Sequence, residues 1–312
     1  MRWLLTGGTG MIGQALSANL IANGDEVVVL SRNPKAHEGE VEGRRLVAWD
    51  GATAKGWGHS IEGVDVVVNM AGERIAGPNP FRLRWTSARK ERICDSRAQA
   101  GKALVQAIEN ASRKPAVLIQ FSGVDYYPVA SEHVTEATPP GDSFLARICT
   151  ECWEPSTRSV EDMGVRRVIV RLGPVLHSED GALPPMIWQT RLFLGGPLGS
   201  GQQYFSWVHI DDVIGVLRFL AGRTQAAGAY NLTAPNPLTN AEFMKTLARV
   251  MKRPSFLRIP GIALKLLFGE MSSTLLKGSR VLPERLLAEG YHFRFPKAEA
   301  ALRNLMGKNG DG

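Results

Sequence analysis

Short apolar runs alternate with helix-compatible segments in the first half of the chain. Residues 3–5 are apolar, residues 14–23 fit a helix, and a β-branched run at 26–30 follows the turn residues Asn23-Gly24-Asp25. Apolar runs of this length, bounded by turn residues, are typical of buried strands. The sequence therefore predicts a strand–helix–strand unit in which the two strands are parallel.

The same alternation continues to about residue 175. Further strands and two helices are predicted by the apolar runs and the segments between them, the strands at residues 46–49, 65–70, 117–121 and 167–172 and the helices at about 84–111 and 143–161. Strands that alternate with helices in this order predict an α/β fold, a Rossmann-type doubly wound parallel sheet.

Beyond residue 175 the pattern becomes less regular and mainly helical. Strands are predicted at 204–209 and 230–232, Asp211-Asp212 is the expected N-cap of a helix, and the apolar stretch 262–268 is expected in the core. The chain is thus expected to form a Rossmann domain and a smaller, mainly helical substrate lobe. The domain comprises residues 1–175, with 204–232 returning to it, and the lobe comprises 176–203 and 233–312.

Composition places the chain among folded globular proteins. With 44% hydrophobic and 21% charged residues it is neither disordered nor fibrous, and no apolar run reaches the roughly 18 residues that a membrane span needs. The first strand begins almost at residue 1, so no signal peptide is expected. Three cysteines are too few for a disulfide framework, and an odd count fits a reducing compartment, which predicts a cytoplasmic protein.

The net charge of +7 is confined to the end of the chain. From Asn240 onward there are 13 Lys and Arg against 6 Asp and Glu, so the first 239 residues are neutral overall. A basic C-terminal lobe fits an acidic partner, a phosphorylated ligand or simply a solvated surface. We expect a small-molecule substrate and no nucleic-acid partner.

A glycine-rich turn joins the first strand to the first helix. Gly7, Gly10 and Gly13 follow the strand at three-residue spacing, and the helix begins at the last of them. Such a turn directs backbone N–H groups and the positive end of a helix at one point, where a dinucleotide pyrophosphate binds. Met11 and Ile12, within the same turn, are also candidate cofactor contacts.

The residues after the second strand indicate which dinucleotide binds. An acidic residue there would bond the ribose hydroxyls of NAD, whereas this chain has Ser31-Arg32. A hydroxyl and a guanidinium suit a 2′-phosphate, which a carboxylate would repel. The sequence therefore predicts NADP(H) as the cofactor.

Small residues end the fourth predicted strand. Ala71 and Gly72 follow Met70 there and let the backbone approach a ligand above the sheet. The charged helix that follows has a mostly solvated basic face, and Arg97 is the basic residue we consider as a cofactor contact.

Taken together, these motifs resemble one family across essentially the whole chain. The chain resembles an atypical extended short-chain dehydrogenase/reductase of the epimerase family protein group (family 39U type), with that group's C-terminal domain of unknown function. The motifs that carry the resemblance are Thr6-Gly7-Gly8-Thr9-Gly10-Met11-Ile12-Gly13, Ser31-Arg32-Asn33-Pro34, Asn69-Met70-Ala71-Gly72-Glu73, Arg84-Trp85, Ser96-Arg97, Ser122-Gly123-Val124-Asp125-Tyr126-Tyr127, Trp153-Glu154, Ser206-Trp207-Val208-His209-Ile210, Gly269-Glu270-Met271, Arg280-Val281-Leu282-Pro283 and Gly290-Tyr291-His292-Phe293. The resemblance implies NADP contacts at the three glycines, Ser31, Arg32, Met70, Ala71, Arg97 and Val175.

The catalytic dyad usual in this superfamily is absent. Its members use a Tyr with a Lys four residues later, and the Lys lowers the pKa of the phenol. None of the five tyrosines has a Lys at that spacing, and no lysine occurs between Lys114 and Lys245. Ser122, at the strand end where the superfamily places a substrate-polarising hydroxyl, remains a candidate, and Tyr126 and Tyr127 could supply a phenol. Asp125 and His209 are weaker candidates.

Other chemistry is not favoured. Cys149 and Cys152 have redox spacing, but they fall inside a predicted helix beside Glu151 and Glu154, which disfavour a thiolate. No cluster of His, Cys and Asp has metal-ligand spacing.

Three hypotheses follow. The first is an NADP(H)-binding oxidoreductase-like protein that acts on a small molecule, with Ser122 polarising a carbonyl. The second is a non-catalytic NADP-binding sensor or assembly partner, which the missing lysine motivates. The third, a sugar-nucleotide epimerase, is less favoured because that chemistry relies on the same dyad.

Overall fold

A seven-stranded parallel sheet forms the centre of the molecule. The computed structural model describes residues 1–76, 84–130 and 132–307. The strands are β1 (Arg2–Thr6), β2 (Glu26–Ser31), β3 (Arg45–Ala48), β4 (Val66–Asn69), β5 (Val117–Gly123), β6 (Arg166–Leu172) and β7 (Gly228–Leu232). Their order in the sheet is 3-2-1-4-5-6-7, and all pairs are parallel. The predicted Rossmann-type fold is confirmed.

Helices cover both faces of the sheet. They are α1 (Met11–Ala22), α2 (Ser87–Glu109), α3 (Phe144–Arg147), α4 (Leu183–Arg191), α5 (Ile210–Gly222), α6 (Asn240–Val250), α7 (Gly261–Phe268), α8 (Ser273–Leu276), α9 (Glu284–Ala288) and α10 (Ala298–Gly307). A π-helical turn, Ile148–Trp153, and a 3₁₀ segment, Glu154–Met163, continue α3. Other 3₁₀ turns are Pro34–His37, Gly58–Ile61, Val124–Tyr126 and Gly269–Ser272.

Alternate residues of each strand enter two different cores. In β1, Trp3 and Leu5 pack into the core that contains α1 and α5, whereas Leu4 packs into the core that contains α2. Strands buried on both faces read as continuous apolar runs, which is why the sequence located them.

The segment predicted as one strand at 204–209 forms two. Tyr204–Phe205 pairs antiparallel with Leu238–Thr239, and Val208–His209 pairs in parallel with Val175–Leu176. The change of partner occurs at Ser206, whose hydroxyl donates to Ser279 O and accepts from Val281 N. Neither pair joins the main sheet, although β7 does. The proposed division into domains stays a prediction.

The helix after this segment begins earlier than predicted. Helix α5 starts at Ile210, and its N-cap is His209, whose Nδ1 accepts from Asp211 N at 3.0 Å. The prediction that Asp211-Asp212 caps this helix is therefore wrong, because both residues lie in its first turn. The Asp212 carboxylate instead accepts from the backbone N–H groups of Arg294 and Phe295.

The expectation for residues 262–268 is also wrong. Of α7, only Leu264 is buried, while Ile262, Leu266 and Leu267 are exposed by 73%, 70% and 66%. Within the described ranges, no helix is long and apolar enough to cross a membrane.

Two of the three cysteines are joined. Cys94 of α2 and Cys152 of the π-helical turn form a disulfide across 58 residues, because these two elements pack side by side. Three cysteines are too few for a disulfide framework, but two of them form this single bond. The cytoplasmic location stays a prediction.

Candidate active site

The strand order reverses between β1 and β4, and the glycine-rich turn lies at this point. Gly7 has φ of +66°, and a Cβ there would stand 3.0 Å from the carbonyl carbon and oxygen of Met70. A Cβ at Gly13 would stand 2.3 Å from Gly8 Cα. These glycines are therefore required, Gly7 by its backbone conformation and Gly13 by the close packing of α1 on the turn. A topological switch point of this kind forms the ligand crevice of doubly wound sheets.

The first turn of α1 has donors to offer. Gly10 is its N-cap in an extended conformation, and no side chain caps the helix. The N–H groups of Met11, Ile12 and Gly13 belong to this turn, where an α-helix leaves its donors without intrahelical partners. These groups fit a negatively charged ligand such as a pyrophosphate.

Thr6, which sequence reasoning did not single out, ties β1 to β4. Its hydroxyl donates to Asn69 Oδ1 at 2.6 Å and accepts from the N–H groups of Met70 and Ala71 at 3.1 and 3.2 Å. This bonding holds the Met70–Ala71 backbone beside Gly7. A threonine before the glycines was the available signal.

Ser31 and Arg32 end β2 at the same edge of the sheet. Ser31 is buried and its hydroxyl accepts from Asn33 N at 3.2 Å. Arg32 is exposed, and its guanidinium makes no ion pair with any residue that the structure describes. Its stem lies near Gly51, where a Cβ would stand 3.4 Å from Arg32 Cδ.

Arg97 lies beneath the end of β4. Its Nη1 donates to the carbonyls of Glu73 and Ile93, and its guanidinium stacks 4.3 Å from the centre of the Trp153 ring. A Cβ at Gly72 would stand 2.9 Å from Arg97 Cζ. Burial lowers the pKa of Arg97 to about 10. Arg97 thus supports the Gly72 backbone, and its contact with a cofactor stays a prediction.

The segment that follows β6 passes near Met11, and the contact of Val175 with a cofactor stays a prediction. A Cβ at Gly181 would stand 3.1 Å from Val175 O and 3.6 Å from Met11 Sδ. The chain after β6 therefore runs beside the first turn of α1.

A buried hydrogen-bonded chain crosses the carboxyl ends of β5, β6 and β7. Ser122 Oγ donates to Glu154 Oε1 at 2.7 Å, and Arg171 Nε and Nη2 donate to the two oxygens of Glu154 at 2.9 and 3.1 Å. Arg171 Nη1 donates to the Tyr127 hydroxyl at 2.9 Å, which donates to Asn231 Oδ1 at 2.7 Å. We call this set of five residues the Glu154–Arg171 network. The structure brings the predicted Ser122 and Tyr127 together in it. Glu154 belongs to one of the motifs, and Glu154 and Arg171 are site residues that the sequence does not predict.

The two tyrosines differ in what they can do. Tyr127 is buried, and desolvation raises the pKa of its phenol to about 12. Tyr126 is half-buried, its ring centre lies 3.3 Å from Arg171 Cζ, and its hydroxyl has no hydrogen-bond partner among the described side chains and backbone. Tyr126 is therefore the phenol that remains available to a ligand.

Asp125 and Cys149 lie next to the same strand end. Asp125 is exposed, but enough of the protein surrounds its carboxyl that desolvation raises the carboxyl pKa to about 6. Cys149 is buried, its thiol lies 3.9 Å from Gly123 O, and desolvation raises its pKa to about 11. Its neighbour Cys152 is bonded to Cys94, so the Cys149–Cys152 pair has no disulfide of its own. Outside residues 77–83, 131 and 308–312, no cluster of three His, Cys, Asp or Glu could hold a metal.

Comparison with known proteins gives matches along nearly the whole chain. The model of the NAD dependent epimerase/dehydratase family matches residues 3–233, and that of a domain of unknown function, DUF1731, matches residues 259–305. Epimerase family protein SDR39U1 of Homo sapiens is 38% identical over 98% of this chain and 100% of the relative. Epimerase family protein YfhF of Bacillus subtilis (strain 168) is 36% identical over 98% of each chain.

Solved structures agree with this assignment. The crystal structure of human epimerase family protein SDR39U1 (isoform 2) with NADPH has a TM-score of 0.89 at 36% identity, over 98% of this chain and 99% of that one. The dTDP-glucose 4,6-dehydratase DesIV of Streptomyces venezuelae has a TM-score of 0.75 at 22% identity, over 100% and 98% of the two chains, which shows a shared fold alone. Because the family model spans most of the chain and relatives above 30% identity span nearly all of it, the chain belongs to the NAD dependent epimerase/dehydratase family, with the C-terminal domain that its motifs predicted.

Proposed function

We propose that the protein binds NADP(H) at the carboxyl edge of the sheet and acts on a small molecule as an oxidoreductase. The observation that carries the choice of cofactor is Arg32, an exposed guanidinium at the end of β2, at a position where NAD-binding members of this fold have an acid. A guanidinium suits a 2′-phosphate. The NADPH in the crystal structure of the human relative supports the same choice.

The residues that would hold the cofactor surround the switch point of the sheet. The uncapped first turn of α1 supplies donors for the pyrophosphate, and Ser31 and Arg32 supply the 2′-phosphate site. The full set is Gly7, Gly10, Met11, Ile12, Gly13, Ser31, Arg32, Met70, Ala71, Gly72, Arg97 and Val175. A bound nicotinamide supplies or accepts the hydride.

We propose that the Tyr126 phenol transfers the proton and that Ser122 donates a hydrogen bond to a substrate carbonyl. The Tyr127 hydroxyl is already shared between Arg171 and Asn231, whereas that of Tyr126 is available. Ser122 would turn its hydrogen from Glu154 to the carbonyl, and Arg171 would keep the Glu154 carboxylate in place.

A non-catalytic NADP-binding sensor is the alternative. The absence of lysine from residues 115–244 favours it, because nothing at the usual position would lower the pKa of a phenol. An epimerase acting on a sugar nucleotide is less favoured, since that chemistry relies on the same dyad. In each case we assign residues 1–175 and 204–232 to cofactor binding and residues 176–203 and 233–312 to the substrate side, of which 308–312 lie outside the described residues. We also propose a cytoplasmic location.

The cofactor proposal is tested by replacing one guanidinium. Arg32→Ala should weaken NADPH binding about 10- to 100-fold, the value of one or two charge-assisted hydrogen bonds, and leave NADH binding within about 2-fold. Isothermal titration with both nucleotides measures this. Arg45→Ala, an exposed arginine at the opposite end of β3, is the matched control. Equal losses of NADPH and NADH affinity would refute the proposal.

The catalytic proposal needs turnover and binding measured on the same variants. In NADPH oxidation across a panel of carbonyl compounds, Tyr126→Phe should lower kcat about 100-fold while the NADPH affinity stays unchanged. NADPH binding by the wild type with no turnover across the panel would favour the sensor.

A further inference from the structure

Most of the exposed large hydrophobic side chains lie in two segments of the part assigned to the substrate side, and none of them is among the cofactor and catalytic residues named above. Nine of the twelve in the described chain fall at positions 188–194 and 256–267, with exposures from 41% to 77%. They are Trp188, Leu192, Phe193, Leu194, Phe256, Leu257, Ile262, Leu266 and Leu267. A scatter of single apolar residues on a surface needs no explanation, but this concentration does.

The two segments are adjacent in the structure. Ile259 N donates to Pro197 O at 3.0 Å, and Gly199 N donates to Ile259 O at 2.9 Å, so the backbones following each apolar run are bonded together. The Arg253 guanidinium lies 4.8 Å from the centre of the Phe193 ring. We call residues 188–194 and 252–267 the apolar–basic surface.

Helix α7 presents its apolar side to solvent. Ile262 and Leu266 are one turn apart and both are exposed, as is Leu267, whereas Leu264 faces the protein. Arg84 donates to the carbonyls of Leu266 and Leu267 and fixes the end of this helix. The backbone that carries these exposed side chains is therefore bonded to the rest of the protein.

Two residues of this surface have a left-handed backbone conformation. Phe193 and Lys252, with φ of 61° and 53°, are the two non-glycine residues with positive φ among the residues described. Each follows the C-cap of a helix, α4 or α6, and the N–H groups of Leu194 and Arg253 donate to Gln189 O and Ala248 O at 2.9 Å, so this conformation ends the two helices. At Phe193 it lies in the exposed run Leu192–Leu194.

The charges of the surface are all of one sign. No acidic residue occurs between Asp180 and Asp211 or between Glu242 and Glu270. Five exposed basic residues accompany the apolar ones: Arg191, Lys252, Arg253, Arg258 and Lys265. A second copy of the chain, docked about a two-fold axis, would bring this basic surface against itself. A negatively charged apolar partner avoids this repulsion.

We propose that the apolar–basic surface binds an anionic lipid bilayer peripherally. Apolar side chains on a short ordered helix, surrounded by Lys and Arg, are the features of an interfacial anchor. Helix α7 has eight residues, too few to span the hydrocarbon, so the contact is with the headgroup region. This proposal is independent of the cofactor and of any reaction.

Vesicle flotation tests it with the full chain. The protein should float with phosphatidylcholine vesicles that contain about 30% phosphatidylserine and stay in solution with phosphatidylcholine alone, because basic residues are attracted to anionic headgroups. Lys252→Glu and Lys265→Glu should each weaken partitioning by more than about 5-fold. Leu266→Ser should weaken it further. Arg45→Glu and Leu287→Ser, an exposed arginine and an exposed leucine elsewhere, are the matched controls.

Two outcomes would overturn the proposal. One is the absence of binding to anionic vesicles at low salt, or binding that all the variants retain. The other is a dimer in analytical ultracentrifugation that Leu266→Ser dissociates, which would make a second copy the occupant. Circular dichroism monitors folding, and the charge variants decide the matter even if Leu266→Ser fails to fold.

Discussion

Removing one carboxylate should expose how much the Glu154–Arg171 network contributes to stability. Arg171 and Glu154 side chains are only 6% and 12% exposed, and Glu154→Ala leaves three donors without an acceptor: Arg171 Nε, Arg171 Nη2 and Ser122 Oγ. Breaking a buried ion pair by removing one partner costs about 3–5 kcal/mol of the free energy of unfolding. Since native proteins have about 5–15 kcal/mol in total, this one substitution should be severe.

Urea unfolding, followed by tryptophan fluorescence, gives the measurement. The matched control is Glu161→Ala, in the same 3₁₀ segment, because Glu161 pairs with Arg167 at 2.7 Å but is itself 48% exposed. Such a surface pair contributes at most about 1 kcal/mol. The double variant Glu154→Leu, Arg171→Met removes both charges. It should therefore cost at least about 2 kcal/mol less than the sum of the costs of Glu154→Leu and Arg171→Met made singly. Equal costs for Glu154→Ala and Glu161→Ala, or simple additivity, would refute the reasoning.

Three further predictions concern the surroundings of this network. The pKa of Asp125 is raised to about 6, so ionisation of its carboxyl destabilises the folded state. The stability of the protein is therefore higher below about pH 4 and falls as the pH rises through 6. Asp125→Asn should therefore be more stable than the wild type at pH 7, by about 1 kcal/mol after allowance for solvent screening, and equal to it at pH 4; urea unfolding at both pH values decides. Dithiothreitol opens the Cys94–Cys152 disulfide, which links residues 58 positions apart, and should lower the free energy of unfolding by about 4 kcal/mol. The Cys94→Ala variant has no such disulfide, so dithiothreitol should leave its free energy of unfolding unchanged. Tyr127→Phe, which leaves Arg171 one acceptor short, should cost about 1–2 kcal/mol in the same assay, and Tyr126→Phe less than about 0.5; similar losses would contradict the different roles of the two rings.

The sheet was predictable because its strands are buried on both faces. Residues such as Val27–Leu30 must all be apolar, and a continuous run between turn residues is visible without any tertiary information. The fingerprint glycines were predictable for a similar reason, since only glycine meets the constraints at Gly7 and Gly13.

The Glu154–Arg171 network was not predictable in the same way. Arg171 stands in an apolar strand, and its partners Tyr127, Glu154 and Asn231 are 44, 17 and 60 residues away in sequence. Only the strand order brings these positions together. The exposure of α7 escaped prediction because an eight-residue apolar run has the same composition whether it faces the core or the solvent.

The π-helical turn Ile148–Trp153 has a consequence for how this site could change during evolution. A π turn is an α-helix with one additional residue, and each residue of a helix turns the chain by about 100°. Loss of one residue before Glu154 would therefore rotate every later side chain of that segment away from its present partner. A single-codon deletion, rather than a substitution, would be enough to withdraw this carboxylate from Ser122 and Arg171 and present another residue in its place.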